Sequence, residues 1–148
     1  MDAEWGAFQK RLREALTGMV AGETLVVSEP DPEPDAGRGL WRRWSKSRRS
    51  VGRYVQFIAW DEGISAECVS RAHRATSDEQ ERRLLELGWS DPRTHPRRSG
   101  RSSNHEMEIG LDEVDRLAHI CAQSLRVLDE DPPNERWTWQ KFSSADTA

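Results

Sequence analysis

The chain has 148 residues, a length that suits one domain and is short for two. Lysine and arginine number 22 against 26 aspartates and glutamates, so the formal net charge is -4. This balance disfavours a nucleic-acid binder with an overall basic field. The 2 cysteines cannot form a disulfide framework, no apolar run approaches the ~20 residues of a membrane span, and the acidic N-terminus lacks a signal peptide. We therefore expect a soluble, cytoplasmic protein that does not enter a membrane.

The first two elements follow from the spacing of apolar residues. Apolar side chains recur at three- and four-residue steps from Trp5 to Met19, which predicts an amphipathic helix. Gly18 and Gly22 suit the end of that helix. The brief β-branched run at 24–27 then predicts a short strand.

Residues 29–49 differ in kind from the segments on either side. Acid alternates with proline up to Asp35, and a run rich in arginine follows. Proline has no N–H to give to a sheet, so we interpret the segment as one long loop that we expect to be flexible. Trp41 and Trp44 lie among its arginines. They could dock a partner, stack with Arg48 or Arg49 as cation–π pairs, or fold over the sheet as a lid. Alternatively, the loop is disordered and the tryptophans are incidental.

The middle of the chain predicts a hairpin followed by a helix. A strong strand is predicted over residues 51–60, and a turn leads to an antiparallel partner over residues 64–70. The run Ser77-Asp78-Glu79-Gln80 fits a capping box, which predicts a helix that Gly88 ends. Trp89 is expected to fill the corner between that helix and the sheet.

The C-terminal part predicts one more strand and one more helix. A basic, Ser-rich loop at residues 93–104 precedes an alternating segment at 105–109, which predicts a fourth strand at a sheet edge. The apolar stripe from Leu111 to Leu128 predicts the last long helix. Aromatic and polar residues alternate within the tail, residues 129–148, and we expect it to pack back on the domain. The order α-β-β-β-α-β-α predicts an α+β fold, an antiparallel β-meander packed with flanking helices.

Three motifs together resemble one family. They are Tyr54-Val55-Gln56-Phe57, Ala66-Glu67, and Ser77-x-x-Gln80 leading into Leu84-x-x-Leu87-Gly88-Trp89-x-x-Pro92. Over about residues 51–128 the chain is similar to the TY-Chap domains of actinobacteria, which are related to type III secretion chaperones and YbjN-type proteins. The resemblance implies a single domain of secretion-chaperone-like fold over residues 1–148 and a chaperone that binds peptides. It offers no catalytic residues.

The sheet should show one face to the helices and the other to a partner. Alternation places Val55, Phe57 and Ala59 on the core face, and the opposite face mixes apolar and polar groups. We predict that a protein or peptide client binds on this opposite face in extended form. The predicted partner-binding residues are Tyr54, Gln56, Ile58, Trp60 and Val69, with Trp41 and Trp44 flanking them. The alternative is that the last helix or the tail covers this face.

Residues that could support catalysis or metal binding are scattered. His73, His95, His105 and His119 lie far apart in the sequence, and no Cys-x-x-Cys occurs. Cys68 and Cys121 lie on apolar stripes, where a thiol is inert. Neither Gly-x-Ser-x-Gly nor a P-loop is present. We therefore predict no enzymatic activity, no cofactor and no metal.

Two alternatives to client binding stay open. The apolar stripe of the last helix could instead form a homodimer, which would make the chain a structural or regulatory module. The loop could bind single-stranded nucleic acid, with tryptophans stacking on bases. The acidic run Glu29–Asp35 disfavours that reading, because it can neutralise the basic residues of the same loop. The basic residues of the loop are Arg38, Arg42, Arg43, Lys46, Arg48 and Arg49, and neutralising Arg42, Arg43, Arg48 and Arg49 would abolish such binding.

Overall fold

The computed structural model describes residues 2–30, 51–94 and 104–143. Short 3-10 turns occupy Pro92–Thr94 and Leu111–Glu113. The helices and strands, in chain order, are α1 (Asp2–Thr17), β1 (Glu23–Ser28), β2 (Tyr54–Ala59), β3 (Gly63–Cys68), α2 (Asp78–Glu86), β4 (His105–Gly110), α3 (Val114–Leu128) and β5 (Thr138–Ser143).

The strands form one antiparallel, 5-stranded sheet in the order β4-β3-β2-β1-β5. The meander of β2, β3 and β4 and the place of β1 beside β2 confirm the predicted α+β class. The C-terminal tail does more than pack on the domain, because its residues 138–143 pair with β1 as a fifth strand. Both β4 and β5 are therefore edge strands.

Alternation along the central strands divides the sheet into two faces. On β2, Val55, Phe57 and Ala59 are buried, whereas the residues between them are only partly buried. Side chains from all three helices join the residues of the buried face in one apolar cluster. The helices α1, α2 and α3 therefore pack on the same side of the sheet, and the core lies between that side and the helices.

The start and the end of α2 are as the sequence predicts. Both hydrogen bonds of the capping box between Ser77 and Gln80 are present, at 2.9 and 3.0 Å. Gly88 has φ +114°, a conformation that L side chains rarely adopt. Trp89 is 3% exposed, and its Nε1 donates a hydrogen bond to Ser124 Oγ at 2.7 Å. The corner tryptophan therefore connects the turn after α2 to α3.

Arg53, which directly precedes β2, is a buried polar centre of the fold, with only 1% of its surface exposed. Its guanidinium donates two hydrogen bonds to the Glu29 carboxylate, Nε to Oε1 and Nη2 to Oε2, each at 3.0 Å. It also donates to the carbonyls of Leu125, Asp129 and Asp131 at 2.7–3.0 Å. The last carbonyls of a helix lack intrahelical donors. Arg53 therefore caps the end of α3 and fixes it to the start of β2.

The ion pair between Arg53 and Glu29 makes stability depend on pH. Burial opposes ionisation of Glu29, but the hydrogen bonds from Arg53 and the charges of Arg53 and Arg74 outweigh burial, and the pKa of Glu29 is lowered. A depressed carboxyl pKa contributes stability that is present above the unfolded-state pKa of about 4.3 and is lost as pH falls through the folded-state pKa.

We expect the variant Glu29→Gln to lose this pH-dependent contribution. The wild type should be the more stable protein at about pH 6, and the difference should shrink as the pH falls below the unfolded-state value of about 4.3 and through the lowered pKa of Glu29. Urea unfolding of both proteins across this range measures the difference. If the difference in unfolding free energy between the two proteins stays constant with pH, the charge of Glu29 does not contribute to stability.

Candidate functional site

The face of the sheet turned away from the helices, called the outward face below, consists of alternate residues of the five strands. The strand register arranges these residues in rows that cross the sheet. One row is Phe142-Thr24-Ile58-Ser65-Glu108, the next is Gln140-Val26-Gln56-Glu67-Glu106, and Thr138, Ser28 and Tyr54 form a third. The described helices pack on the opposite side of the sheet.

Large apolar side chains gather at one end of the outward face. Phe142 and Ile58 lie on either side of Thr24 in one row. Phe142 is 47% exposed and Trp60, two residues after Ile58, is 55% exposed. The Trp60 Nε1 donates a hydrogen bond to Ser65 Oγ at 2.9 Å, which directs the indole towards β3. This end therefore presents aromatic and aliphatic surface to solvent.

The other end of the outward face is polar. Ser28 and Thr138 share a hydrogen bond between their hydroxyls at 2.9 Å. The half-buried Tyr54 accepts a hydrogen bond from Asn104 Nδ2 at 2.7 Å, and burial raises the pKa of its phenol. The outward face thus changes from hydroxyl groups at one end to apolar side chains at the other.

A cleft of about 350 Å³ adjoins the apolar end of the outward face. It lies where the turn between β2 and β3 meets the end of β4. Trp60, Glu62, Ser65, Glu108 and Glu113 are among its lining residues. An aromatic ring and several carboxylates therefore surround the same opening.

The structure brings most of the described candidate residues together. Tyr54, Gln56 and Ile58 share the outward face, and Trp60 lies at its end. Val69 requires a correction, because it is 0% exposed and belongs to the core. Strand β3 ends at Cys68, so the alternation of faces stops before Val69, and its side chain cannot contact a partner. Trp41 and Trp44 lie outside the described residues.

The tryptophans of the tail pack on the helix side of the sheet. Trp137 is 6% exposed, with its ring centroid 6.0 Å from that of Phe8 in α1. The Trp139 ring lies 5.6 Å from Phe8 and beneath the Arg11 guanidinium at 4.1 Å. The described part of the tail, which ends at Ser143, therefore leaves the outward face uncovered and enlarges it through Phe142. Sequence reasoning missed Phe142, although the alternation of the tail could have indicated it.

The thiols and the described histidines give no positive support to catalysis. Burial raises the pKa of Cys68 to about 12 and the pKa of Cys121 well above its ordinary value, so neither is an activated nucleophile. The buried His105 Nδ1 lies 2.8 Å from the Ser90 carbonyl oxygen.

Within the described ranges, no group of three or more His, Cys, Asp or Glu side chains could hold a metal ion. No helix in those ranges is long and apolar enough to cross a bilayer.

A second cleft, of about 250 Å³, lies beside α2, and its charged side chains neutralise one another. The buried carboxylate of Glu81 lies 3.0 Å from Arg71 Nε and 2.8 Å from Arg93 Nη2. Arg93 also pairs with Asp91 at 3.1 Å, and hydrogen bonds from Arg93 lower the pKa of Asp91. Ion pairing within this cleft explains its charged residues without a ligand.

A comparison with protein families identifies the chain. The model of TY-Chap3, described as "T3SS (YopN, CesT) and YbjN peptide-binding chaperone 3", matches residues 1–135. The chain belongs to the TY-Chap3 family. No curated protein and no solved structure matches it significantly. Membership in TY-Chap3 confirms the resemblance and supports a peptide-binding, chaperone-like role in general. Strand β5 lies beyond the residues that the TY-Chap3 model matches.

Proposed function

We propose that this TY-Chap3 chain is a non-enzymatic chaperone that captures an extended segment of a client protein on the outward face. The observation that carries the proposal is the exposure of Phe142 and Trp60, 47% and 55%, beside Ile58 on a sheet face opposite the helices. Exposed apolar side chains grouped with polar ones are typical of surfaces that bind peptides. The described contact residues would be Tyr54, Gln56, Ile58, Trp60 and Phe142.

Capture would depend on shape and on burial of apolar surface. Burial contributes roughly 25 cal/mol per Å² of apolar area, so a few side chains of a client suffice for weak, reversible binding. In an extended segment, alternate side chains point to the same side, about 7 Å apart. One set of client side chains can therefore contact Ile58 and Phe142 while polar client groups meet Gln56 and Tyr54.

The variant Ile58→Asp is expected to weaken client binding about tenfold or more, because a client would have to desolvate the new carboxylate at the apolar end. Fluorescence anisotropy of labelled, reduced and alkylated lysozyme, a permanently unfolded polypeptide, measures the affinity. Ala7→Asp adds the same charge on the exposed surface of α1 and should bind as the wild type does.

Circular dichroism and urea unfolding of Ile58→Asp are needed beside the binding measurement. A folded Ile58→Asp variant with unchanged affinity would contradict the proposal. Loss of the fold in that variant would show that Ile58 belongs to the core, and the outward face would then not be a binding surface.

The homodimer and the nucleic-acid alternatives stay predictions. The apolar stripe of the last helix, which the sequence suggested for a homodimer, is buried in the core at Leu117, Cys121 and Leu125. A dimer formed instead through the outward face would use the same residues as a client, so sedimentation of the protein alone and with an unfolded polypeptide distinguishes the two. Binding to single-stranded nucleic acid would show a steep dependence on salt concentration. The arginines predicted to carry it, Arg42, Arg43, Arg48 and Arg49, lie outside the described residues.

A further inference from the structure

The strands place negative charge, but no positive charge, on the outward face. Glu67 and Glu106 end one row of the face, and Glu108 ends the neighbouring row. No lysine or arginine occupies a described strand position of this face. Lys141 of β5 belongs to the other face by register and lies 3.3 Å from the carboxylate of Glu23.

Two of these carboxylates have no partner within residues 2–30, 51–94 and 104–143. Glu67 and Glu108 make no side-chain hydrogen bond and no ion pair there. Glu62, which lines the cleft beside Trp60, makes none in the same part of the chain. Glu113, which also lines the cleft, pairs with Arg116 at 3.2 Å. In the cleft beside α2, by contrast, arginines neutralise the acids. The outward face therefore has room for a cation from outside the described residues.

The negative charge lies within reach of the apolar side chains. Ile58 and Glu108 are in the same row and two strands apart. Neighbouring strands are about 4.8 Å apart, so their Cα atoms are separated by about 10 Å, the length of about three residues of extended chain. Trp60 lines the cleft with Glu62 and Glu108, and the face of an indole ring attracts cations.

We propose that the segment captured on the outward face is basic as well as apolar. An aliphatic or aromatic client residue contacts Ile58 and Phe142, and a lysine or arginine within three or four residues of it enters the cleft. There the cation meets the Trp60 ring and the carboxylates of Glu62 and Glu108. This inference rests on the proposed function and adds to it the chemistry of the client.

Three labelled peptides of about 12 residues test the charge preference. All carry the same leucines and serines, and they differ only in having lysine, glutamine or glutamate at the remaining positions. At low salt we expect the lysine peptide to bind about tenfold more tightly than the glutamine peptide, and the glutamate peptide to bind most weakly.

The double variant Glu62→Gln/Glu108→Gln is expected to reduce the ratio of the affinities for the lysine and glutamine peptides to about threefold or less. Glu4→Gln/Glu14→Gln removes the same net charge from exposed positions of α1 and should keep the full preference. All four glutamates are exposed, so the variants should fold.

Equal affinity for the three peptides would overturn the basic client while leaving the proposed function intact. A preference for lysine that both double variants reduce equally would mean attraction by net charge alone, and would also overturn it. If no peptide and no unfolded polypeptide binds, the proposed function fails together with this inference. A dimer that Ile58→Asp dissociates, without binding of any peptide, would assign the face to a second copy and contradict the proposal.

Discussion

Replacement of Arg53 by methionine is expected to lower the free energy of unfolding by about 3–5 kcal/mol, the usual cost of removing one partner of a buried ion pair. Methionine can fill part of the space but donates no hydrogen bond. The Glu29 carboxylate and the carbonyls of Leu125, Asp129 and Asp131 would lose the guanidinium as a donor together. Glu29 would keep the backbone N–H of residue 53, and the Leu125 carbonyl would keep the Asp129 N–H. The Trp137 ring, 5.1 Å from the guanidinium, would lose a cation contact.

Two milder changes serve as controls for Arg53→Met. Arg53→Lys keeps the positive charge but lacks the planar arrangement of donors, so an intermediate loss is expected. Glu29→Gln should cost less than Arg53→Met, because the Glu29 side chain is 25% exposed and the amide can still accept a hydrogen bond from Arg53. Urea unfolding followed by circular dichroism gives the three free energies. A loss of less than about 1 kcal/mol for Arg53→Met would contradict its role at the end of α3.

The second large effect is expected on the core side of β2. Phe57 is 0% exposed, so Phe57→Ala should cost about 3–5 kcal/mol through lost burial and the cavity left behind. Its neighbour Ile58 lies on the outward face and is only partly buried, so Ile58→Ala should cost about 1 kcal/mol. Comparison of Phe57→Ala with Ile58→Ala therefore shows how much stability each face of β2 contributes.

Equilibrium unfolding of Phe57→Ala and Ile58→Ala in urea also tests the proposed function. Similar losses for Phe57→Ala and Ile58→Ala would mean that both faces of β2 are covered. The outward face would then have no room for a client. If the outward face is open in solution, Phe57→Ala must lower the free energy of unfolding much more than Ile58→Ala does.

Local patterns predicted most of the fold and much of the candidate site. Strict alternation along β2 assigns Tyr54, Gln56 and Ile58 to one face, because the side-chain period of a strand is two residues. The capping box at Ser77 and the glycine at position 88 define α2 within a few residues of sequence. Each of these signals arises from neighbours along the chain.

Interactions between distant parts of the chain were not predictable in this way. An arginine just before a strand is usually exposed, and the role of Arg53 depends on a carbonyl that lies 72 residues away in the sequence. The pairing of β5 with β1 joins residues at opposite ends of the chain, and no local sequence pattern indicates that β5 pairs with β1. Val69 was assigned to the wrong face because alternation was extended one residue beyond the last residue of β3.

The place of β1 between β2 and β5 has a consequence during synthesis. β1 is translated first among the strands, yet the strand that completes its second edge is translated last. A nascent chain on the ribosome therefore carries an incomplete sheet with a row of unsatisfied backbone groups, which is a template for pairing with other chains. A chain truncated before residue 138 would keep β1, with its apolar run Leu25-Val26-Val27, as the exposed edge in place of the more polar β5, and aggregation is its expected fate.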